Sequence, residues 1–393
     1  MAKRRRQQGC RCNCGGGKRP RKHLYLVLDD WEKGFSVHKL DALSLFDYDS
    51  ASDNDEDGSG GGLKRLPDPP AVRITEARHS PMLFAGLGSC IFVANKRQYS
   101  AHASGALVYD TETAAMSMGP RLPENPCCLF VAAPAAGGET KKNKKPKREQ
   151  ETAVLYTLST VKHGGGSQHP SRHVLGVSVH ALSAPSLAAA EWSWETVPAP
   201  LAPFDGNEET VIAYAVHPDG CTIFLSTRDK TWRGGGTYSF HTERREWRSH
   251  GEWKLPFRQE VYFERELDAW VGLDEDGYVC ACEAVAVGTD VAPAWKKTGQ
   301  KLFRMGDPER HLGATLTYMG DNAFCLVESV MREDVSLRHA YVYGDGHGCA
   351  LHVTVFGLKY SREGELQATL RRATSSYEVC KYIPGFSHVP FWM

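Results

Sequence analysis

The 393-residue chain carries 47 basic and 47 acidic residues, and 41% of it is hydrophobic. That balance leaves no global field to draw nucleic acid or a membrane surface, and the apolar share is enough for a substantial core. No run reaches the roughly eighteen consecutive apolar residues of a membrane span, and the basic start Met-Ala-Lys-Arg-Arg-Arg has no apolar segment behind it, so neither a span nor a secretory signal is predicted. The expectation is an intracellular chain, cytoplasmic or nuclear, whose twelve cysteines are mostly reduced.

Residues 1–21, with Cys10, Cys12 and Cys14, read as a disordered basic tail. Strand-like runs begin at His23-Leu-Tyr-Leu-Val-Leu28, turn through Asp29 to Gly34, and resume at Phe35-Ser-Val-His-Lys-Leu40. The acidic, glycine-rich segment 47–62 is a loop by composition. A second unit holds runs at 81–84, 89–94, 106–110 and 115–118, and ends at Leu122-Pro123. A third starts at 128–131, breaks for an insertion near 138–151, and continues at 153–156, 174–179 and Trp192-Ser-Trp194. The fourth is the most regular: Thr210 to Val216, Thr222 to Ser226, Gly236 to Phe240 and Arg245 to Arg248, the first pair joined by Pro218-Asp219-Gly220. In that turn proline pre-sets φ, aspartate bonds its own backbone and glycine permits positive φ. The fifth contains 260–263, 269–273, 278–282 and a strand near Trp295, with a central hairpin at Asp274-Glu-Asp-Gly277. The sixth runs through 312–316, 324–327, 339–342 and 351–356, and two further runs follow at 365–370 and 376–379. No convincing helix is predicted; the alanine-rich stretch 185–191 is short.

Two of these units superimpose in sequence. Val108-Tyr-Asp-Thr-Glu112 aligns with Ser239-Phe-His-Thr-Glu243 at an offset of 131, which also puts Met116 on Trp247, and both units exit at Leu-Pro. Trp192, Trp194 and Trp295 suit the comparable outer-strand place in other units. Units of about fifty residues with four strands each predict an all-β chain folded as a single β-propeller of six blades, with five or seven as alternatives. A small sheet with two apolar faces cannot bury them alone; radial stacking covers both, and ring closure protects the edges. The first unit's two strands and the spare C-terminal runs suit a blade closed from both termini. The predicted organisation is a tail over 1–21, a propeller over 22–383 and a C-terminal tail over 384–393.

The Tyr-Asp-Thr-Glu and Phe-His-Thr-Glu units resemble degenerate kelch repeats. More closely, His23-Leu-Tyr-Leu-Val-Leu-Asp-Asp-Trp31, Arg265-Glu-Leu-Asp-Ala-Trp-Val-Gly272, Pro308-Glu-Arg-His-Leu-Gly-Ala314 and Val355-Phe-Gly-Leu-Lys-Tyr360 resemble a large grass-plant family of uncharacterised propeller-like proteins, some related to F-box-associated kelch proteins. The likeness spans about residues 22–380. The paired glycines of a kelch second strand are missing, and 22 residues before the first strand are too few for a three-helix F-box. The resemblance therefore implies a fold far more than an activity.

Chemistry-bearing candidates are few. Cys10-x-Cys12-x-Cys14 lacks the C-x₂-C spacing of zinc sites. Asp53-Asn-Asp55-Glu-Asp57-Gly58 begins like a calcium loop, but Lys64 stands where a bidentate glutamate is required. Gly15-Gly-Gly-Lys18 is followed by Arg19 instead of the Ser or Thr of a phosphate loop. The sixteen histidines show no HExxH pairing, and no Gly-x-Ser-x-Gly elbow occurs. Cys90, Cys221, Cys280, Cys282 and Cys325 sit in or beside apolar runs and read as small core fillers. Lys141, Lys142, Lys144, Lys145, Lys147 and Arg148 form a candidate nuclear signal without the interleaved aromatics that stack on bases. Arg228, Trp232 and Arg233, ahead of three glycines, place an aromatic and two guanidiniums on one hairpin, the composition of an interface anchor.

The reading is a non-catalytic scaffold of the kelch-like type. It implies no cofactor, an unidentified protein partner, no membrane, no nucleic acid and a monomeric chain. Two alternatives stand beside it. One is a small-ligand binder or enzyme using the central channel, which predicts acids, histidines or a metal converging at the axis. The other is a nuclear factor whose basic segments touch nucleic acid, which predicts salt-sensitive binding.

Overall fold

The computed structural model describes residues 22–30, 34–41, 63–75, 82–95, 106–124, 126–134, 153–162, 175–183, 191–336, 348–369, 373–379 and 388–393. The Cys10 to Cys14 group, the acidic 53–58 segment, the 141–148 run and the expected strand at 339–342 lie outside these residues, as does 185–190.

Strand β1 (His23–Asp30) shows why the chain builds sheets covered on both faces. Leu24, Leu26 and Leu28 pack into a core with Val327, Leu351 and Val353, whereas Tyr25 and Val27 pack into another with Ile91, Val93 and Tyr109. A two-residue period that is apolar in both phases demands a neighbour on each side. The first leaf continues with β2 (Gly34–Asp41), the chain then passes through β3 (Lys64–Arg65), which pairs outside this leaf, and β4 (Val72–Ile74) rejoins it beside β2. The second is β5 (Met82–Leu87), β6 (Cys90–Asn95), β7 (Ala106–Asp110) and β8 (Ala115–Gly119). The third is β9 (Pro126–Pro134), β10 (Ala153–Lys162), β11 (Leu175–Ser183) and β12 (Ser193–Thr196). The fourth is β13 (Glu209–Val216), β14 (Thr222–Asp229), β15 (Thr237–His241) and β16 (Glu246–Ser249). The fifth is β17 (Arg258–Glu264), β18 (Ala269–Leu273), β19 (Val279–Glu283) and β20 (Trp295–Lys297). The sixth holds β21 (His311–Gly320), β22 (Ala323–Met331), β23 (Cys349–Tyr360), β24 (Leu366–Ala368) and β25 (Ala373–Val379), and β26 (His388–Trp392) ends the chain. Among the described residues helix is confined to one 3₁₀ turn, Pro308–Arg310.

Within the second to fifth leaves neighbouring strands run antiparallel in chain order. The fourth and fifth leaves join into one eight-stranded sheet because their innermost strands, β13 and β17, pair in parallel with Tyr214 opposite Glu260. Six hydrophobic clusters lie between successive leaves: first and second, second and third, and so on to sixth and first. The innermost strands β5, β9, β13, β17, β21 and β26 all line one central cavity. Four-stranded leaves stacked face to face around a shared hub define a β-propeller.

Closure departs from the expectation in one respect. Segment 384–393, read as a tail, supplies β26, which pairs with β1 from Leu24↔Trp392 to Leu28↔His388 and makes the first leaf β26-β1-β2-β4. The two spare runs instead belong to the sixth leaf as β24 and β25, both paired with β23. Strand β3 also crosses over to pair in parallel with β25, a second tie between the chain ends. Pro390 hid the closing strand: proline lacks a donor and is tolerated on an edge, and the innermost strand is such an edge.

The sequence repeat has a physical cause. Thr111 and Thr242 each follow the third strand of their leaf, and each bonds back to the turn between the first two strands. Thr111 N and Oγ1 donate to Ser89 O at 2.9 and 2.7 Å; Thr242 N and Oγ1 donate to Cys221 O at 2.7 and 3.0 Å. Three residues on, Ala114 and Arg245 both take positive φ, 55° and 59°. Trp194 and Trp295 do stand on outer strands, β12 and β20. Cys280, Cys282 and Cys325 are buried core thiols, pushed up to about 12 by burial, while Cys90 and Cys221 are half-buried.

Candidate functional site at the mouth and wall of the hub

The β14–β15 hairpin carries the three residues singled out from sequence. Its return is tight: a Cβ on Gly235 (φ 98°) would run into the Thr227 carbonyl, and Asp229 Oδ1 accepts from Arg233 N at 3.1 Å. Trp232, at φ 67°, projects outward and is 68% exposed instead of folding onto a neighbouring leaf. The Arg228 guanidinium lies 4.8 Å from its ring centre. Arg228 also reaches the fifth leaf, where it donates to both oxygens of Glu275 at 3.0 and 3.1 Å. Arg258, at the start of β17, donates to the same carboxylate. The pairing with Arg228 and then Arg258 holds the Glu275 carboxyl down to about 2. The Arg233 side chain is exposed.

Glu275 is placed by the turn read from sequence. Asp274 Oδ1 accepts from Asp276 N and Tyr278 N at 2.9 and 2.8 Å, and Gly277 takes φ 88°. The turn lines the mouth of the central cavity, whose volume is about 730 Å³. Deeper on the wall, Tyr262 Oη donates to Glu260 Oε2 at 3.0 Å and lies 3.3 Å from Leu316 O. Solvent in the hub reaches Glu260, yet protein surrounds it, and lost hydration pushes its carboxyl up to about 7 against the bond from Tyr262. Burial and the neighbouring Glu260 raise the Tyr214 and Tyr262 phenols well above the usual range. Sequence reasoning missed Arg258, Glu260 and Tyr262 as a set, although their two-residue spacing was visible.

Several of the described histidines are held by neighbouring groups of the fold. His311 stacks on Phe303 with centroids 4.3 Å apart, and its Nε2 stands 3.7 Å from the buried Glu328, which accepts from Arg304 N and Met305 N. His388 Nε2 donates to Val327 O at 3.0 Å, and burial pushes its pKa down to about 4. Ser159–His180 (2.6 Å) and Ser239–His250 (2.8 Å) form buried pairs, and Ser376–His352 (2.9 Å) a partly buried one. The second ring nitrogens of His180 and His250 bond Thr196 Oγ1 and Thr289 O, so no carboxylate orients these rings as in a nucleophilic triad. One pairing absent from the sequence reading is local: His217 Nδ1 sits 3.0 Å from Asp219 Oδ2 within the Pro-Asp-Gly turn. Among the described residues no group of three or more His, Cys, Asp or Glu is arranged to hold a metal ion. Among the same residues no helix is long and apolar enough to cross a membrane.

Fold and site together define a β-propeller with a charged, aromatic mouth. The model of a family described as a protein of unknown function (DUF1668) matches residues 21–377, and the chain belongs to that family. No curated protein sequence matches it. Similar solved structures include a protein from Lactobacillus plantarum, with 10% identity, TM-score 0.40, and 93% of this chain and 99% of that chain covered. A chain of the nidogen/laminin complex matches with 8% identity and TM-score 0.37 over 91% of this chain and 98% of that one. The Dos1 propeller matches with 9% identity and TM-score 0.30 over 92% of this chain and 78% of that one.

Proposed function

We propose that the chain is a non-catalytic, kelch-like interaction propeller that binds a protein partner through the face bearing the 228–233 hairpin. The observation that carries this reading is Trp232. An indole 68% exposed is held in place by a guanidinium that is itself fixed by a two-pronged bond to the next leaf. A rigid aromatic beside arginines loses little entropy on docking, which is the composition of interface hot spots. An intracellular setting and a monomeric chain are parts of the same proposal. The test is affinity purification from native tissue with the wild type and Trp232→Ala side by side. A partner retained by the first and lost from the second supports the reading; equal recovery by both removes the hairpin from the interface.

A further inference from the structure

The hub wall contains a charge without a counter-charge. Glu260 faces the cavity, and among the described residues its hydrogen-bond partner is the phenol of Tyr262. Arg258, two positions earlier on β17, is engaged with Glu275 at the mouth. The groups around Glu260 are Tyr214 in register on β13, Tyr262 on its own strand, and the Leu316 carbonyl of β21, which also accepts from Tyr262. None is cationic. A carboxylate moved out of bulk water costs free energy unless a cation meets it. The surrounding wall is evenly polar and apolar, with Phe84, Phe303 and Phe391 among its aromatics, and about 730 Å³ lies within the range of small-molecule sites.

We propose that the hub binds a small organic ammonium ion, its charge met by the Glu260 carboxylate and its alkyl body by the rings of Tyr214 and Tyr262. The faces of tyrosine rings attract cations, and a carboxylate beside them adds the ion pair. An anionic ligand would meet repulsion from Glu260, and a neutral one would leave it unpaired. Lost hydration disfavours the charged form of Glu260, and an ammonium ion seated beside it would restore the carboxylate. The ammonium has two possible sources, a free amine or a lysine side chain of a polypeptide.

The experiment is isothermal titration of the full chain with n-butylammonium chloride, n-butanol and the peptide acetyl-Gly-Lys-Gly-amide. Saturable binding of butylammonium at least tenfold tighter than butanol is expected. Glu260→Gln should weaken butylammonium at least tenfold and leave butanol unchanged. Trp232→Ala should leave both unchanged, which separates failure at the hub from failure of the interaction face. Tighter binding of the peptide than of butylammonium assigns the ammonium to a polypeptide; weaker binding assigns it to a free amine. Equal affinity for butylammonium and butanol, or no saturable heat with any probe, overturns the proposal, and neither result depends on a variant folding. Wild-type affinity in a natively folded Glu260→Gln overturns it as well.

Discussion

Glu260 and Glu275 line the same cavity, fifteen positions apart, and their environments push ionisation in opposite directions. At the mouth, two guanidiniums hold Glu275 down to about 2; on the wall, lost hydration lifts Glu260 to about 7. The difference is one of partners more than of depth. Arg228 crosses from the fourth leaf to reach Glu275, while the parallel pairing of β13 and β17 puts a tyrosine, not a base, opposite Glu260. The mouth is electrostatically complete and offers shape. The wall is incomplete and offers charge.

Any titration that compares the two carboxyls runs over a larger background. Burial pushes His352 and His388 down to about 4, from an ordinary value near 6.5. The folded state therefore prefers them neutral. Their stabilisation is fully present above about 6.5 and is lost as pH falls toward about 4, because the unfolded chain binds protons first. Between pH 7 and pH 5 each should cost on the order of 2 kcal/mol of stability. Urea midpoints at the two pH values check this, and replacing both histidines by glutamine should flatten the profile. An acid limb that persists in the double variant would assign it to other groups.

The second largest effect isolates the mouth. Trp232→Ala should weaken partner binding by at least about tenfold, the loss expected of a central aromatic anchor. It should leave stability within about 0.5 kcal/mol, as for other exposed positions. A melting temperature that falls with the affinity would show the indole supporting the fold instead of a partner.

How much of this contrast was visible beforehand differs between the two carboxyls. The alternating run Leu24 to Leu28, the Pro218-Asp219-Gly220 turn and the Thr111/Thr242 repeat are local patterns, and the propeller follows from them. The hairpin bearing Arg228, Trp232 and Arg233 was legible because glycine and turn chemistry are local too. Glu275 was visible only as a turn residue; its partner Arg228 stands 47 positions away. Glu260 looked like one more polar position on a strand until six leaves closed around it. The closing strand itself, His388–Trp392, was hidden by its shortness and by Pro390, and became recognisable once β1 needed a partner.

Glu260→Gln sharpens the wall side. A carboxyl raised in the folded state is most favourable below its unfolded value near 4.5, and that advantage is lost as pH rises through about 7. The variant should therefore match the wild type near pH 4.5, gain relative stability as pH climbs from there to about 7, and hold that gain at higher pH. Water in the hub screens the charge, so the gain is on the order of 1 kcal/mol, or about 2 °C. Thermal melts at pH 5 and pH 8 read it directly. An unchanged difference between the two would mean the carboxylate is better solvated than its surroundings imply.

The smallest effect is at Glu275. Its pairs with Arg228 and Arg258 are solvent-exposed, so Glu275→Gln should change stability by less than about 1 kcal/mol, with the difference shrinking in high salt. The more telling readout is the indole. Without the carboxylate, Arg228 loses the bond that fixes it beneath Trp232, and the ring gains freedom. Fluorescence anisotropy should fall modestly, and partner affinity should drop a few-fold with Trp232 still present. If affinity stays at the wild-type level while Trp232→Ala abolishes binding, the ring acts without its support. The Arg228 bridge would then be a tie between leaves and not part of the binding face.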